Sequence, residues 1–138
     1  MSAESNKELV SRFWRDMRSI DDLDLMDELY DPKVKYHGAG GEELQGAEEL
    51  RDYVSGYFGA FPDLVVDAKT VFAEGDWVAS RWEATGTHRG ELQGIPATNK
   101  KVVISAATIQ RFENGKVVEE WEYPDLMSVM AQLGVMEA

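Results

Sequence analysis

The sequence predicts an α+β fold in one domain, residues 1–138: a curved, mostly antiparallel sheet with three N-terminal helices on its concave face. Three observations carry this. Apolar residues recur with a period of 3.6 before Pro62 and of 2 after it. Helices come first and strands later, which is an α+β layout rather than an alternating one. Two turn signals, Glu74-Gly75-Asp76 and Asn114-Gly115, join successive strands as antiparallel hairpins. The length of 138 residues suits one domain at ~150 residues each, and such a chain buries a core without disulfide or metal staples.

Each element follows in order. Leu9, Val10, Phe13, Trp14 and Met17 form one apolar stripe, predicting a helix from about Ser5 to Ser19. Asp21 or Asp22 caps a second helix carrying Leu23, Leu25, Met26, Leu29 and Tyr30. Asp31-Pro32 closes it, because the residue before proline is pushed out of the helical region. Val34–His37 reads as a short strand and Gly38–Gly41 as a turn. The third helix runs from Gly46 to Phe61, with Leu50, Tyr53, Val54, Tyr57, Phe58 and Phe61 on one face. Four strands follow: Leu64–Ala73, Trp77–His88, Val102–Phe112 and Lys116–Tyr123. A loop from Gly90 to Lys101 interrupts them. Pro124-Asp125 opens a last helix with Leu126, Val129, Met130 and Leu133 on one face and Gly134 as its C-cap.

Charge and composition exclude several function classes. The 26 acidic and 14 basic residues leave a formal charge of −12. Nucleic acid is not expected as a partner, because neutralising phosphates takes a basic face. Anionic membranes are disfavoured for the same reason. The absence of cysteine excludes disulfides and thiolate metal sites. No apolar run approaches the ~18 residues of a membrane span. Met1–Glu8 has neither the basic nor the apolar part of a secretory signal, so a cytoplasmic location is expected. The acidic run from Asp21 to Asp31 reads as a solvated helix face, lacking the glycine and register of a calcium loop.

The candidate chemistry centres on the end of the last strand. Alternation places Val117, Glu119, Trp121 and Tyr123 on one face, with Asp125 continuing it. An aromatic floor ending in a carboxylate suits carbon-acid chemistry, in which a base removes the α-proton of a carbonyl compound. A low-dielectric pocket would raise the carboxylate's pKa toward neutrality, as that task requires. The competing reading makes Asp125 the cap of the last helix, and a strong capping bond would lower its pKa instead. His88 and His37 end predicted strands beside glycines, where a neutral imidazole could hydrogen-bond a carbonyl or an enolate, or serve structure alone. They lie too far apart in sequence to form a local metal motif, and no metal is expected. Arg81 would need an anionic partner if it faced inward and would be an ordinary surface ion-pair member if outward. Sequence leaves that open. Trp14, Tyr36, Tyr53, Phe58 and Trp121 are the aromatic candidates for a ligand pocket, though a helical stripe is usually packing. The face bearing Val102, Thr108 and Gln110 reads as an exposed alternation open to dimerisation.

These residues together resemble a family. Phe61-Pro-Asp-Leu64, Glu74-Gly-Asp-Trp-Val-Ala-Ser-Arg81, Gly86-Thr-His88 with Gly90, and Gly94-Ile-Pro-Ala-Thr98 carry the first part of the likeness. Arg111-Phe-Glu-Asn-Gly-Lys-Val-Val-Glu-Glu-Trp121 with Asp125, and Gln132-Leu-Gly134, carry the rest. The chain resembles the SnoaL-like polyketide (ester) cyclases of the nuclear-transport-factor-2-like superfamily, from about Glu8 to Gly134. One departure is Asn99-Lys100, where family members often have Gly-Arg. The resemblance implies a cone-shaped α+β barrel and cofactor-free, aldol-type chemistry on a hydrophobic carbonyl compound. It implies general acid–base work by Asp125, and a homodimer through the sheet. The same fold also hosts isomerases, hydrolases and binding modules without activity. The surrounding negative charge favours a neutral hydrophobic ligand.

Overall fold

Ser2 opens the first helix by a reciprocal cap. Its hydroxyl accepts from the Ser5 amide, and the Ser5 hydroxyl accepts from the Ser2 amide. The helix, α1 (Ala3–Asp16), buries Val10 and sets Phe13 and Trp14 toward the sheet. The computed structural model describes residues 2–135; Met1 and residues 136–138, included in the single domain read from sequence, lie outside the described residues.

The second predicted helix divides into a 3₁₀ segment, Ile20–Leu25, and a single turn, α2 (Met26–Leu29). Asp22 accounts for the tight start: its carboxylate accepts from the amides of Arg18 and Ser19. Strand β1 (Tyr30–His37) begins directly afterwards, so Asp31-Pro32 lies inside the strand instead of preceding it. The register of β1 is irregular between Tyr30 and Lys35, and a proline, having no amide to donate, is tolerated there. A three-residue strand, β2 (Glu43–Gln45), pairs antiparallel with β1 and has no counterpart in the sequence reading. Helix α3 (Ala47–Ala60) follows, then β3 (Val65–Glu74), β4 (Trp77–Thr87), β5 (Lys101–Glu113), β6 (Lys116–Pro124) and α4 (Leu126–Leu133).

The six strands form one sheet in the order β2-β1-β6-β5-β4-β3. All neighbours are antiparallel except β1 and β6, which run parallel. Helices cover the inner face, where α1 lies over β3 and β4 and α3 over β1. Strand β5 turns Val102, Ile104, Ala106, Thr108, Gln110 and Phe112 into this covered side. The face bearing Val102, Thr108 and Gln110 is therefore interior and not an exposed alternation. Both faces of β5 carry apolar residues, so their composition does not distinguish inside from outside.

A β-bulge in β6 fixes the geometry that matters for the site. Phe112 pairs with Val117, but Arg111 pairs with Glu119, so Val118 is an extra residue on β6. Beyond it the inward positions are Glu120 and Glu122, not Glu119, Trp121 and Tyr123. No helix among the described residues is long and apolar enough to cross a membrane.

The loop from His88 to Lys100 is pinned to the end of α3. The amides of Arg89 and Gly90 both donate to the Ala60 carbonyl. Gly90 comes so close that a Cβ there would stand 2.3 Å from the Gly59 carbonyl oxygen.

A carboxylate-bearing aromatic cavity as candidate active site

The helices and the inner sheet face enclose a cavity of about 140 Å³. Apolar cavities of roughly this size bind small aromatic molecules. Helix α1 supplies Trp14, and α3 supplies Tyr53, Tyr57 and Phe58 from successive turns of one stripe. Trp82 of β4 stacks obliquely on Trp14 at 5.3 Å, and its indole N–H donates to Thr108 Oγ1 at 2.8 Å. That bond fixes the ring as a flat wall.

Two carboxyl groups interrupt the apolar lining. Glu120 is 4% exposed, and its Oε1 accepts from the Tyr30 hydroxyl at 2.7 Å and from Gln110 Nε2 at 2.7 Å. Glu122, two residues on along the same face, accepts from the Tyr36 hydroxyl. Burial pushes Glu120 up to about 8, reinforced by the neighbouring Glu122 and opposed by the bonds from Tyr30 and Gln110. Burial also raises Glu122, against the Tyr36 bond, with Glu42 adding to the rise. At neutral pH Glu120 thus holds a proton, and the pair carries less charge than two surface carboxylates. Burial likewise raises Tyr30, Tyr36, Tyr53 and Tyr57, so all four remain phenols.

The structure separates the residues nominated from sequence. Trp14, Tyr36, Tyr53 and Phe58 line the cavity. Trp121, His37 and Arg81 lie on the outer face of the sheet. Trp121 stacks on the His37 ring at 5.2 Å, His37 Nε2 lies 2.7 Å from Glu119, and Arg81 is exposed. His88 is fully buried but does not line the cavity. Its Nδ1 accepts from the Thr98 amide at 3.2 Å, tying the end of β4 to the following loop. Asp125 is exposed and caps α4, accepting from the Ser128 amide at 3.1 Å. Its neighbours Pro124 and Leu126 line the cavity; Asp125 does not. The face that was to join Asp125 to Trp121 and Tyr123 is the outer one, because Val118 shifts the alternation.

Glu120, Glu122 and Tyr30 are the residues that sequence reasoning passed over; Tyr36, the donor to Glu122, was among those it nominated. A partial signal existed. Thr108 and Gln110 are polar positions in the otherwise apolar series Val102, Ile104, Ala106 and Phe112, and they pair with Glu122 and Glu120. Among the described residues, no group of three or more His, Cys, Asp or Glu side chains is arranged to hold a metal ion.

Known proteins share this architecture. Residues 8–133 match the SnoaL-like polyketide cyclase family. The aklanonic acid methyl ester cyclase of Streptomyces peucetius is 29% identical over 93 residues, 67% of this chain and 64% of that protein. The chain spans less than two thirds of the length of the curated relatives it matches. A protein of Jannaschia sp. CCS1 assigned as a SnoaL-like polyketide cyclase superposes with a TM-score of 0.89 at 25% identity, covering 98% of this chain and 95% of that one. A protein of Acidithiobacillus ferrooxidans assigned as a polyketide cyclase gives 0.78 at 31% identity, covering 97% and 98%. With the family match extending over nearly the whole sequence, the chain belongs to the SnoaL-like polyketide cyclase family.

Proposed function

We propose that the protein is a cofactor-free acid–base catalyst that closes a ring in a neutral, hydrophobic carbonyl compound by an intramolecular aldol-type step. The observation that carries this reading is a pair of carboxyl groups, buried Glu120 and half-buried Glu122, in the wall of an aromatic cavity. A carboxylate there is a stronger base than one in water, because burial raises its pKa.

Glu122 takes the base role. It is held by one hydrogen bond, from Tyr36, whereas Glu120 is held by two, from Tyr30 and Gln110, so the Glu122 oxygens are freer to take a proton. The Glu122 carboxylate accepts the α-proton, and the C–H electron pair becomes the enolate double bond as the carbonyl π pair moves to oxygen. The enolate carbon attacks a second carbonyl of the same molecule. A C–C bond forms, and the new alkoxide recovers the proton from Glu122. Proton and charge balance within the step, which needs no further reactant. The likeness to the aklanonic acid methyl ester cyclase of Streptomyces peucetius supports a methyl ester of that kind as substrate.

The experiment is ring closure of aklanonic acid methyl ester by the protein and by Glu122→Gln and Asp125→Asn. The expected result is turnover by the parent and by Asp125→Asn, and a loss of roughly 10²–10⁴-fold in Glu122→Gln. Full activity in Glu122→Gln would take the base role from Glu122, and loss of activity in Asp125→Asn alone would return it to Asp125.

We also propose a homodimer through the outer sheet face. Phe72, Trp77 and Tyr123 are 68%, 45% and 59% exposed there. Phe72, Ala79, Ile109, Trp121 and His37 lie side by side across five strands. Sedimentation of the protein and of a Phe72→Glu variant tests this. A monomeric parent would rule it out.

A further inference from the structure

We propose that the hydroxyl pair of Tyr53 and Tyr57 is an oxyanion-binding element of the cavity, taking the enolate or phenolate oxygen of a planar ligand. Its use in catalysis rests on the acid–base reading above; its use in binding does not.

The residues are four apart on α3, so they share one face, and both line the cavity. Their hydroxyl oxygens lie 3.2 Å apart, and either can be the donor. Each phenol has one proton to give. Whichever donates to the other, one O–H is left over, and accepting a bond makes it a stronger donor. Burial raises both groups, so this donor persists across the working pH range.

The other phenols and the indoles of the lining are engaged or closed off. The residues lining the cavity include no lysine, arginine or histidine. An oxygen that gains negative charge inside must therefore be met by neutral donors, among which the Gln93 amide and the Glu120 acid proton stand beside the phenols and indoles. Tyr30 is committed to Glu120 and Tyr36 to Glu122. The Trp82 N–H is committed to Thr108. The Trp14 N–H has no partner but is closed off from the space. The Tyr53 end of the pair stands beside Tyr36, the two rings lying 5.4 Å apart. It thus neighbours the carboxyl proposed to take the substrate proton. A fixed hydroxyl dipole in a dry site stabilises developing charge without reorganising solvent.

The test compares 4-nitrophenol with nitrobenzene, which has the same ring and nitro group without the hydroxyl. Binding to the protein, to Tyr53→Phe, to Tyr57→Phe and to the double variant is measured by calorimetry. The protein should prefer 4-nitrophenol by about tenfold, the worth of one hydrogen bond to a charged or partly charged oxygen. The double variant should lose this preference while keeping its affinity for nitrobenzene, which reports that the cavity is intact. The proposal is overturned if the parent shows no preference, if neither ligand binds, or if the preference survives in the double variant. Glu122→Gln separates the two readings. Lost ring closure there, with the preference surviving in the double phenylalanine variant, removes the oxyanion element alone. Normal ring closure there, with the preference abolished by the phenylalanines, removes the acid–base reading and leaves the oxyanion element standing.

Discussion

Tyr36 stands opposite Glu120 in the register of β1 and β6, yet its hydroxyl donates to Glu122, one inward position further along. Glu120 is served by Tyr30, from the start of the same strand. Each carboxyl thus has its own phenol, and both phenols come from β1. The strand that pairs parallel with β6 also regulates its protons.

Tyr36→Phe follows from that arrangement. The Tyr36 bond lowers the pKa of Glu122 against the effect of burial. Removing the hydroxyl raises it further, so the base ionises at higher pH. The rising limb of the pH–rate profile for ring closure should move to higher pH, with the plateau rate retained. An unmoved limb would mean that Glu122 is not the titrating base.

Stability should depend on pH through Glu120. In the folded state this carboxyl keeps its proton up to about 8, whereas an unfolded chain releases it near ~4.3. The folded state binds the extra proton between those limits, so stability falls as pH rises through the window. The contribution is complete below the unfolded value and gone above about 8. Urea unfolding across the window should show a falling midpoint, and Glu120→Gln should flatten it. Glu119, Asp63 and Asp67, whose pKa values are lowered by hydrogen bonds, act oppositely and only at lower pH.

Asp125→Ala and Glu122→Gln should separate stability from activity. The alanine removes the α4 cap, at a cost of about 1 kcal/mol, and leaves ring closure nearly unchanged. The glutamine keeps the shape and removes the base, so turnover falls while thermal stability holds. Paired melting curves and rate measurements check both halves.

Gly90→Ala should disturb the loop over the cavity. The new methyl would meet the Gly59 carbonyl, and neither backbone can yield cheaply. A loss of about 1–3 kcal/mol is expected from such overpacking. Leu92 and Gln93 from this loop line the cavity, so 4-nitrophenol affinity should fall with the melting temperature.

Much of the fold was legible because periodicity is a strong signal over long elements. The stripe on α3 and the hairpin at Asn114-Gly115 could be read directly, and with the α1 and α3 stripes came Trp14, Tyr53 and Phe58 of the cavity. Three features were not legible. Strand β2 has only three residues, too few for a pattern. The parallel pairing of β1 with β6 is a long-range contact that no local signal marks. The inner side of β5 was hidden because Val103, Ala107 and Ile109 outside are as apolar as Val102, Ile104 and Ala106 inside. The carboxyl pair was lost for a further reason. Counted back from a two-residue turn, an unbulged hairpin sets Gln110 against Glu119 and Thr108 against Trp121. One extra residue changes both pairings.

That residue, Val118, acts on β6 as an inserted base acts on a reading frame. The same stretch encodes two interiors: an acidic one spelled by Glu120 and Glu122, and an aromatic one spelled by Trp121 and Tyr123. Flattening the bulge while keeping all its residues, with the hairpin held in place, would exchange them. The carboxyl groups would turn to solvent and the indole would enter the cavity. A new pocket chemistry on this strand is therefore one slip of register away, with no substitution of any residue that touches the ligand.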